Sequence, residues 1–237
     1  MQHQQIDPCV QLQQQLQLCS AMASSAGGSS AAMARRIYLS LYNWVAFYGW
    51  AQVLYGTVSA LLLESGGHEA VYAAVERPLL FAQTLAVVEI LHSVLGFVKS
   101  PVSATFAQIF GRMYVTWAVL WCFCEAQSHI LVTSLMLSWS ITEVIRYPFF
   151  GMRETFGFAP SWLLWLRYNN FLVLYPIGML SKVGLIFVAM PSMKTSGRCY
   201  LHCATTAILP LYVPGFPYLY RYMIARRKKV LSAAKIA

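Results

Sequence analysis

Charged side chains are scarce in this sequence: Asp, Glu, Lys and Arg make up 11% of its 237 residues, whereas hydrophobic residues make up 58%. A soluble domain carries about a quarter of its residues as charges, so this composition excludes an ordinary soluble domain. The mean hydropathy is positive. We therefore predict a polytopic membrane protein with a single domain.

Acidic residues are the scarcer of the two charge types, with 8 Asp and Glu against 17 Lys and Arg, which gives a net charge of +9. An excess of this size can indicate nucleic-acid binding, but the sequence has no basic helix interleaved with aromatic residues. The basic residues concentrate near the C-terminus, above all at residues 226–229. We therefore predict contact with membrane lipid and no binding to nucleic acid.

Cysteine is also infrequent, and its six positions do not form the disulfide framework of a small secreted protein. Cys122 and Cys124 lie in an apolar run, where cysteine usually acts as a small hydrophobic residue. Cys199, His202 and Cys203 form one short group of metal-binding side chains, and without a second group they indicate a metal site only weakly. We predict no metal and no cofactor.

Residues 1–34 are rich in Gln and then in Ala, Ser and Gly, and they contain no apolar core long enough for a signal peptide. We predict a disordered low-complexity tail here, a helical membrane domain over residues 35–220, and a basic cytosolic tail over residues 221–237. Met22 and Met33 both precede the predicted domain, so the residues before them are expected to be a variable tail or an upstream extension.

Six apolar segments follow, and charged or proline-containing links separate them. Their predicted limits are residues 38–63, 79–98, 105–125, 130–150, 162–190 and 199–220. Pro210, Pro214 and Pro217 interrupt the last segment, so its helix is expected to be short or kinked. The predicted fold class is an all-α bundle of six transmembrane helices.

The basic residues near the ends of these segments indicate the orientation of the bundle. With both termini in the cytosol, the cytosolic group is Arg35, Arg36, Lys99, Arg153, Arg221, Arg226, Arg227, Lys228, Lys229 and Lys235, and the luminal group is Arg77, Lys194 and Arg198. This asymmetry follows the positive-inside rule, whereas five spans would place the basic tail in the lumen. The lysines near the C-terminus are only a weak signal for retention in the endoplasmic reticulum.

The fifth segment carries polar side chains inside its apolar run. Its 29 residues would extend ~44 Å as a helix, longer than a hydrocarbon core of ~30 Å. Tyr168, Tyr175 and Lys182 are spaced by seven residues and therefore share one helix face. Pro176 and Gly178 allow a kink and the close approach of another group. Polar groups within a membrane indicate a functional site; the alternative is that the tyrosines pack and Lys182 reaches the interface.

This fifth segment contains LRYNNFLVLYPIGMLSKVGLI, which resembles the signature of the 3-hydroxyacyl-CoA dehydratases of very-long-chain fatty-acid elongation, above all their plant PASTICCINO-type members. RRIYLSLYNW, AVVEILHSVLGFVKSPVSAT, SHILVTSLMLSWSITEVIRYPFFG and GFAPSW resemble other segments of that family. The resemblance implies a lyase of the endoplasmic-reticulum membrane that converts a (3R)-3-hydroxyacyl-CoA to a trans-2-enoyl-CoA. It also implies acyl-CoA, membrane lipid and other elongase enzymes as partners.

In that family the tyrosine of the LYP segment and a glutamate seven residues later form the catalytic pair. The resemblance therefore implies that Tyr175 is catalytic, but Lys182 occupies the glutamate position. An ammonium group can stabilise a phenolate by charge attraction, yet it cannot accept a hydrogen bond. The stretch between Lys194 and Ile208 is also shorter than the family pattern. Both departures predict impaired turnover.

The resemblance also implies a set of substrate-binding residues: Arg167, Arg112, Arg146, Tyr168 and Gly178. The alternative is that these arginines have structural roles, because a buried charge needs a partner. Arg146 can pair with Glu143 three residues away on one helix face, and Glu89 can pair with an arginine of another helix. The structural role is favoured for Arg146, whereas Arg167 lies near the cytosolic end of its helix and suits the phosphates of CoA.

Two other functions remain open from the sequence. A catalytically weakened relative would act as an elongase scaffold or bind a phosphoprotein. HSVLGFVKS, at residues 92–100, has the outline of a tyrosine-phosphatase loop, but Ser93 replaces the nucleophilic cysteine and Lys99 the arginine. The other function is a small transporter, which buried charges permit but no internal repeat supports.

Overall fold

The computed structural model describes residues 8–63, 66–98, 102–195 and 199–236, and within them it describes only the backbone of residues 8–29, 104, 199, 211, 213 and 233–236. In these ranges every regular element is helical, so the all-α prediction is confirmed. The α-helices are α1 (Pro8–Leu62), α2 (Val71–Ala86), α3 (Val88–Val94), α4 (Val102–Met113), α5 (Cys124–Gln127), α6 (Ile130–Phe156), α7 (Ser161–Asn169), α8 (Phe171–Thr195), α9 (Cys199–Ile208) and α10 (Tyr212–Ile236). A π-helix (Tyr114–Leu120) continues α4, and 3-10 turns occupy Gly67–Glu69 and Leu209–Leu211.

Two helical segments of the described chain are long and apolar enough to cross a membrane, Ser30–Leu62 within α1 and Ser161–Thr195 over α7 and α8. Three of the other predicted spans are divided into shorter helices. The span predicted at residues 79–98 is divided at Val87, the one at 105–125 at the start of the π-helix, and the one at 199–220 at the 3-10 turn that contains Pro210. Helix α6 is long enough, but its serines, threonines and charged residues make it less apolar.

Helix α1 begins at Pro8, so the backbone of residues 8–34 is helical where the composition predicts an irregular tail. Proline suits the first turn of a helix, where its missing N–H would have no partner, and Gln, Leu and Ala are good helix formers. Arg36 then donates a hydrogen bond to the Glu154 carbonyl oxygen at 3.2 Å, which ties α1 to the last turn of α6. The domain limits at residues 35 and 220 stay a prediction.

The core lies where α1, α2, α6, α8 and the π-helix meet, because α1 packs on both α2 and α6, and α6 packs on α8. Its largest fully buried side chains include Trp50, Leu79, Leu120, Leu135, Met136, Leu185 and Ile186. Helix α10 lies outside this core and meets α7 and α8 through its side chains. The core therefore holds α6 and α8 in a fixed relation, and α10 covers the polar face of α8.

Candidate active site

The polar face of α8 points toward α10. Lys182 Nζ lies 4.4 Å from the centroid of the Tyr212 ring, and the Tyr175 ring stacks on Phe216 and Tyr220. These three α10 residues are spaced by four, so they share one face of that helix. Positions later in α8 meet positions earlier in α10, and the two helices are therefore antiparallel. The face shared by Tyr175 and Lys182 is where a ligand would meet both residues.

Tyr175 is half-buried in a cluster of three nearly parallel rings. Its ring centroid lies 5.4 Å from that of Phe216 and 6.1 Å from that of Tyr220, with interplanar angles of 7° and 10°. Offset stacking of this kind holds the ring in place. No hydrogen bond joins the Tyr175 hydroxyl to another described side chain, so this group can exchange a proton with a bound ligand.

Pro176 explains how Tyr220 is anchored next to Tyr175. Proline has no N–H, so the Leu172 carbonyl four residues earlier loses its partner within α8. The Tyr220 hydroxyl donates a hydrogen bond to this Leu172 oxygen at 3.3 Å. Near the start of α8, Asn169 Oδ1 accepts hydrogen bonds from Arg227 Nε and Nη2, at 3.0 and 2.7 Å. These contacts fix the register between α10 and the face that carries Tyr175.

Lys182 lies next to Gly111 of α4. A Cβ atom on Gly111 would be 3.2 Å from the Tyr212 hydroxyl oxygen and 3.7 Å from Lys182 Nζ, so a larger residue would crowd both groups. Among the described residues, Lys182 has a cation–π contact with Tyr212 and no carboxylate partner. The lysine therefore keeps three N–H donors that a ligand can occupy.

Arg112 follows Gly111 and points into the bundle. Its Nη1 bonds to Glu143 Oε1, and its guanidinium lies over the rings of Trp50 and Trp139, at 4.9 and 5.2 Å. The Nε and Nη2 atoms of Arg112 are buried without a hydrogen-bond partner in the described protein. Such donors are costly to bury unpaired, so they mark a place where a polar ligand would be stabilised.

Each guanidinium nitrogen of Arg146 has a carboxylate partner, which supports the structural role favoured for it. Its Nη1 and Nη2 bond to the two Glu89 oxygens at 3.0 and 2.8 Å, and its Nε bonds to Glu143. The Tyr147 hydroxyl also donates to Glu89, at 2.7 Å. Glu143 thus pairs with Arg112 as well as with Arg146, and the network joins α3, α4 and α6. With its donors paired in this way, Arg146 has little capacity left for a substrate.

Arg167 is placed differently from the other two arginines, since it has no ion pair among the described residues. Its guanidinium lies 4.2 Å from the centroid of the Phe150 ring and 4.7 Å from that of Phe149, with the Tyr168 ring 5.8 Å away. The Nη1 atom is buried and unbonded. Aromatic faces can hold a cation in place without neutralising it, so Arg167 retains the charge that an anionic group would bind.

Gly178 lies between Tyr175 and Lys182 in α8 and has a packing role. A Cβ atom at this position would lie 3.2 Å from Ser138 Cβ and 3.8 Å from Ser138 Oγ, so the glycine lets α8 approach α6 closely. Tyr168 is half-buried and contacts Arg167 rather than Tyr175 or Lys182. Of the predicted substrate-binding residues, Tyr168 therefore lies with Arg167, Arg112 and Arg146 share Glu143, and Gly178 packs against α6.

Sequence reasoning missed the α10 side of this site. Tyr212, Phe216 and Tyr220 have the spacing of one helix face, but the neighbouring prolines obscured that signal. Gly111 was also missed, because nothing in a single sequence shows what approaches a glycine. The second pairing of Glu143, with Arg112 of α4, likewise depends on how distant helices cross.

Neither the phosphatase-like loop nor the group of Cys199, His202 and Cys203 belongs to the face that carries Tyr175 and Lys182. In the phosphatase-like loop, Ser93 Oγ donates a hydrogen bond to the Glu89 carbonyl oxygen at 3.0 Å and also contacts Thr105, whereas Lys99 lies outside the described residues. No group of three His, Cys, Asp or Glu side chains that could hold a metal occurs in the described chain, and the Cys199 side chain lies outside it. A surface groove of about 610 Å³ on α10 is lined by Pro214, Pro217, Tyr218, Arg221 and Tyr222, away from the site.

Comparison with known proteins identifies the family of this chain. A family model described as protein tyrosine phosphatase-like protein, PTPLA, matches residues 83–233, which include the whole of α8 and most of α10. The chain belongs to this family. In the phosphatase-like loop of this chain, Ser93 stands in place of the nucleophilic cysteine, and its hydroxyl contacts the Glu89 carbonyl oxygen and Thr105.

Members of the PTPLA family with curated names are similar over most of the chain. A rice relative (Oryza sativa subsp. japonica), very-long-chain (3R)-3-hydroxyacyl-CoA dehydratase PASTICCINO 2B, is 59% identical over 215 residues, covering 86% of this chain and 96% of the relative. PASTICCINO 2 of Arabidopsis thaliana, with the same enzyme name, is 54% identical, covering 85% and 96%. The human dehydratase 2 is 35% identical, covering 82% and 81%. No solved structure matches the chain significantly.

Proposed function

We propose that this PTPLA-family protein dehydrates very-long-chain (3R)-3-hydroxyacyl-CoA to trans-2-enoyl-CoA, the dehydration step of fatty-acid elongation. The observation that carries the proposal is the similarity over nearly the full length of relatives that are named for this reaction. Tyr175, which stands at the family's catalytic tyrosine position, presents an unbonded hydroxyl on the α8 face toward α10. Lys182 is the second residue of the proposed pair.

The reaction requires proton transfers but no change in oxidation state and no cofactor. A base takes the proton from C2, and the electron pair of that C–H bond moves onto the thioester as an enolate. As this pair returns to form the C2=C3 double bond, the C3–O bond breaks, and the departing hydroxyl takes up a proton and leaves as water. We assign this proton exchange to Tyr175: its phenolate accepts the C2 proton, and the resulting phenol returns it to the hydroxyl. One residue thereby serves both steps where the family resemblance expects a glutamate as well.

The relatives' names favour the dehydratase over the second candidate, a scaffold that binds elongase enzymes or a phosphoprotein. The phosphatase-like loop adds no support to that candidate, because Ser93 is held within the fold. An acyl-CoA substrate and contacts with other elongase enzymes follow from the proposed reaction.

Membrane placement is part of the same proposal. Six spans, with both termini in the cytosol of the endoplasmic-reticulum membrane, place most basic residues of the helix ends on the cytosolic side. Large apolar side chains are exposed along α8, among them Val173, Leu180 and Phe187. These residues form a surface suited to lipid, while the opposite side of α8 packs on α6.

The direct test is to incubate the purified protein in detergent with a very-long-chain (3R)-3-hydroxyacyl-CoA and to measure trans-2-enoyl-CoA by mass spectrometry, for the native protein and for Lys182→Glu. We expect turnover by the native protein. Lys182→Glu restores the glutamate that the family resemblance expects, but it also replaces the ammonium beside Tyr212 with a carboxylate. Because that carboxylate would place negative charge where electron density develops on the substrate, we expect less turnover. A native protein without turnover, together with activity in Lys182→Glu, would refute the dehydratase assignment and support the scaffold.

Arg167 is proposed to bind a phosphate of CoA, and Arg167→Met tests this. A charge-assisted hydrogen bond contributes about 1.5–3 kcal/mol, so we expect KM for the CoA thioester to rise roughly 10- to 150-fold. The N-acetylcysteamine thioester of the same acid has no phosphate, and its KM should not change. Arg153→Met is the matched control, because Arg153 is an exposed arginine near the end of α6. Equal effects on the two thioesters would show that Arg167 does not bind phosphate.

A further inference from the structure

Lys182, Tyr212 and Gly111 together form an oxyanion site: we propose that the Lys182 ammonium and the Tyr212 hydroxyl donate hydrogen bonds to the thioester oxygen of the substrate. This inference rests on the proposed function and gives Lys182 a role different from that of the glutamate it replaces. It also adds Tyr212, on α10, to the residues that act on the substrate.

Lys182, Tyr212 and Gly111 lie close together. The Tyr212 hydroxyl and Lys182 Nζ both approach the backbone of Gly111: a Cβ atom built there would lie 3.2 Å from the hydroxyl oxygen and 3.7 Å from Nζ. Lys182 Nζ lies over the Tyr212 ring, 4.4 Å from its centroid, and the hydroxyl is at the edge of that same ring. In the proposed complex the thioester oxygen lies beside these two groups and accepts a hydrogen bond from each.

The cationic side chains around Gly111 outnumber the carboxylates. Within the described residues, the Glu89 and Glu143 carboxylates form ion pairs with Arg112 and Arg146. Neither carboxylate pairs with Lys182. Two donors of Arg112, Nε and Nη2, are also buried without partners. The interior around Gly111 therefore has more positive charge and more N–H donors than its acceptors can satisfy. A group that gains negative charge is stabilised in such surroundings.

The reaction supplies such a group. When the C2 proton is removed, electron density moves onto the thioester oxygen, which becomes enolate-like. Donors placed before the reaction stabilise this charge without rearrangement, and removing one of them costs about 10²–10³-fold in kcat. Tyr175 lies seven residues before Lys182 on the same helix face, about 10 Å along the axis. In the proposed complex one bound substrate places its oxygen toward Lys182 and its C2–H toward Tyr175.

The test measures the carbonyl itself. A very-long-chain trans-2-enoyl-CoA carrying ¹³C at the thioester carbonyl is bound to the full-length protein in detergent, and isotope-edited difference infrared spectra give the C=O stretch. On the native protein we expect the stretch to shift to lower frequency than in solution. The shift should be lost in Lys182→Met and reduced in Tyr212→Phe, and kcat should fall about 10²–10³-fold in Lys182→Met.

Matched controls separate a lost contact from a damaged fold. Lys194→Met changes an exposed lysine of α8, and Tyr218→Phe changes an exposed tyrosine of α10, so both should keep the native shift and kcat. Tyr212→Phe keeps the ring over Lys182 and removes only the hydroxyl, so the variant should fold. Gly111→Ala adds one methyl group next to both donors and should reduce the shift as well.

The outcomes distinguish this inference from the proposed function. If the native protein forms enoyl-CoA but the carbonyl shift is the same in Lys182→Met and Tyr212→Phe, the oxyanion site is wrong and the dehydratase stands. If the carbonyl shift depends on both residues but no hydroxyacyl-CoA is consumed, the site binds the thioester and the proposed reaction is wrong.

Discussion

Tyr175→Phe is expected to abolish measurable dehydration while leaving the protein folded. General acid–base groups contribute about 10²–10⁴-fold, and a phenylalanine ring cannot exchange a proton. The new ring would still stack on Phe216 and Tyr220, whose planes lie within 10° of the Tyr175 plane. The hydroxyl makes no hydrogen bond to a described side chain, so its removal should change the free energy of unfolding by no more than about 0.5 kcal/mol. The measurement is kcat for a very-long-chain 3-hydroxyacyl-CoA, alongside the unfolding midpoint.

The control for this variant is Tyr55→Phe, since Tyr55 is an exposed tyrosine of α1 and should retain native kcat. Wild-type turnover in Tyr175→Phe would exclude a catalytic hydroxyl at this position, even if the chain proved to be a dehydratase. Loss of turnover together with a lowered unfolding midpoint would instead point to a packing role for the Tyr175 hydroxyl. The two roles are separated by measuring binding of the enoyl-CoA product, which a folded variant should retain.

Glu143→Ala is expected to destabilise the bundle strongly, because it removes a carboxylate that two arginines share. The Glu143 side chain is 5% exposed and pairs with both Arg112 and Arg146. Removing it leaves two largely buried guanidinium groups short of a partner, and breaking a buried ion pair in this way costs about 3–5 kcal/mol. The free energy of unfolding in detergent, followed by tryptophan fluorescence during denaturant titration, should fall by that amount. Turnover should fall with it, because Arg112 adjoins the Gly111 position.

A double variant separates the lost ion pair from other causes. Glu143→Ala combined with Arg112→Met removes one of the unpaired charges, so its cost should be smaller than the sum of the two single costs by about 0.5–3 kcal/mol. Glu69→Gln is the matched control, because Glu69 is an exposed carboxylate of a 3-10 turn. Additive costs in the double variant would show that Glu143 and Arg112 are not coupled.

Several features of the site can be predicted from local spacing. Seven residues correspond to nearly two helical turns, so Tyr175 and Lys182 had to share a face of any helix that contains both. The pairing of Arg146 with Glu143 follows from the three-residue spacing in the same way. The pairing of Glu89 with Arg146 needed only the rule that a buried charge has a partner, although the sequence did not identify which arginine it meets.

Helix limits were less predictable, because they depend on breaks that tertiary contacts stabilise. The fifth apolar segment was expected at residues 162–190 with a kink at Pro176, whereas the structure divides it at Asn170 and continues α8 through Pro176. Proline is tolerated there because the Leu172 carbonyl it frees accepts a hydrogen bond from Tyr220 of α10. Tyr220, 48 positions along the chain from Leu172, thus replaces the hydrogen bond that the proline removes from the helix.

The sequence by itself determined the helical class, the apolar character of the bundle and the family, because composition, periodicity and shared segments are local properties of the chain. Tertiary structure alone decided which side chains complete the site. The antiparallel register of α8 and α10 places Tyr212 over Lys182, and the absence of a side chain at Gly111 lets both groups approach α4 closely. Register and helix crossing depend on contacts between residues far apart in the chain, and no spacing within one segment encodes them.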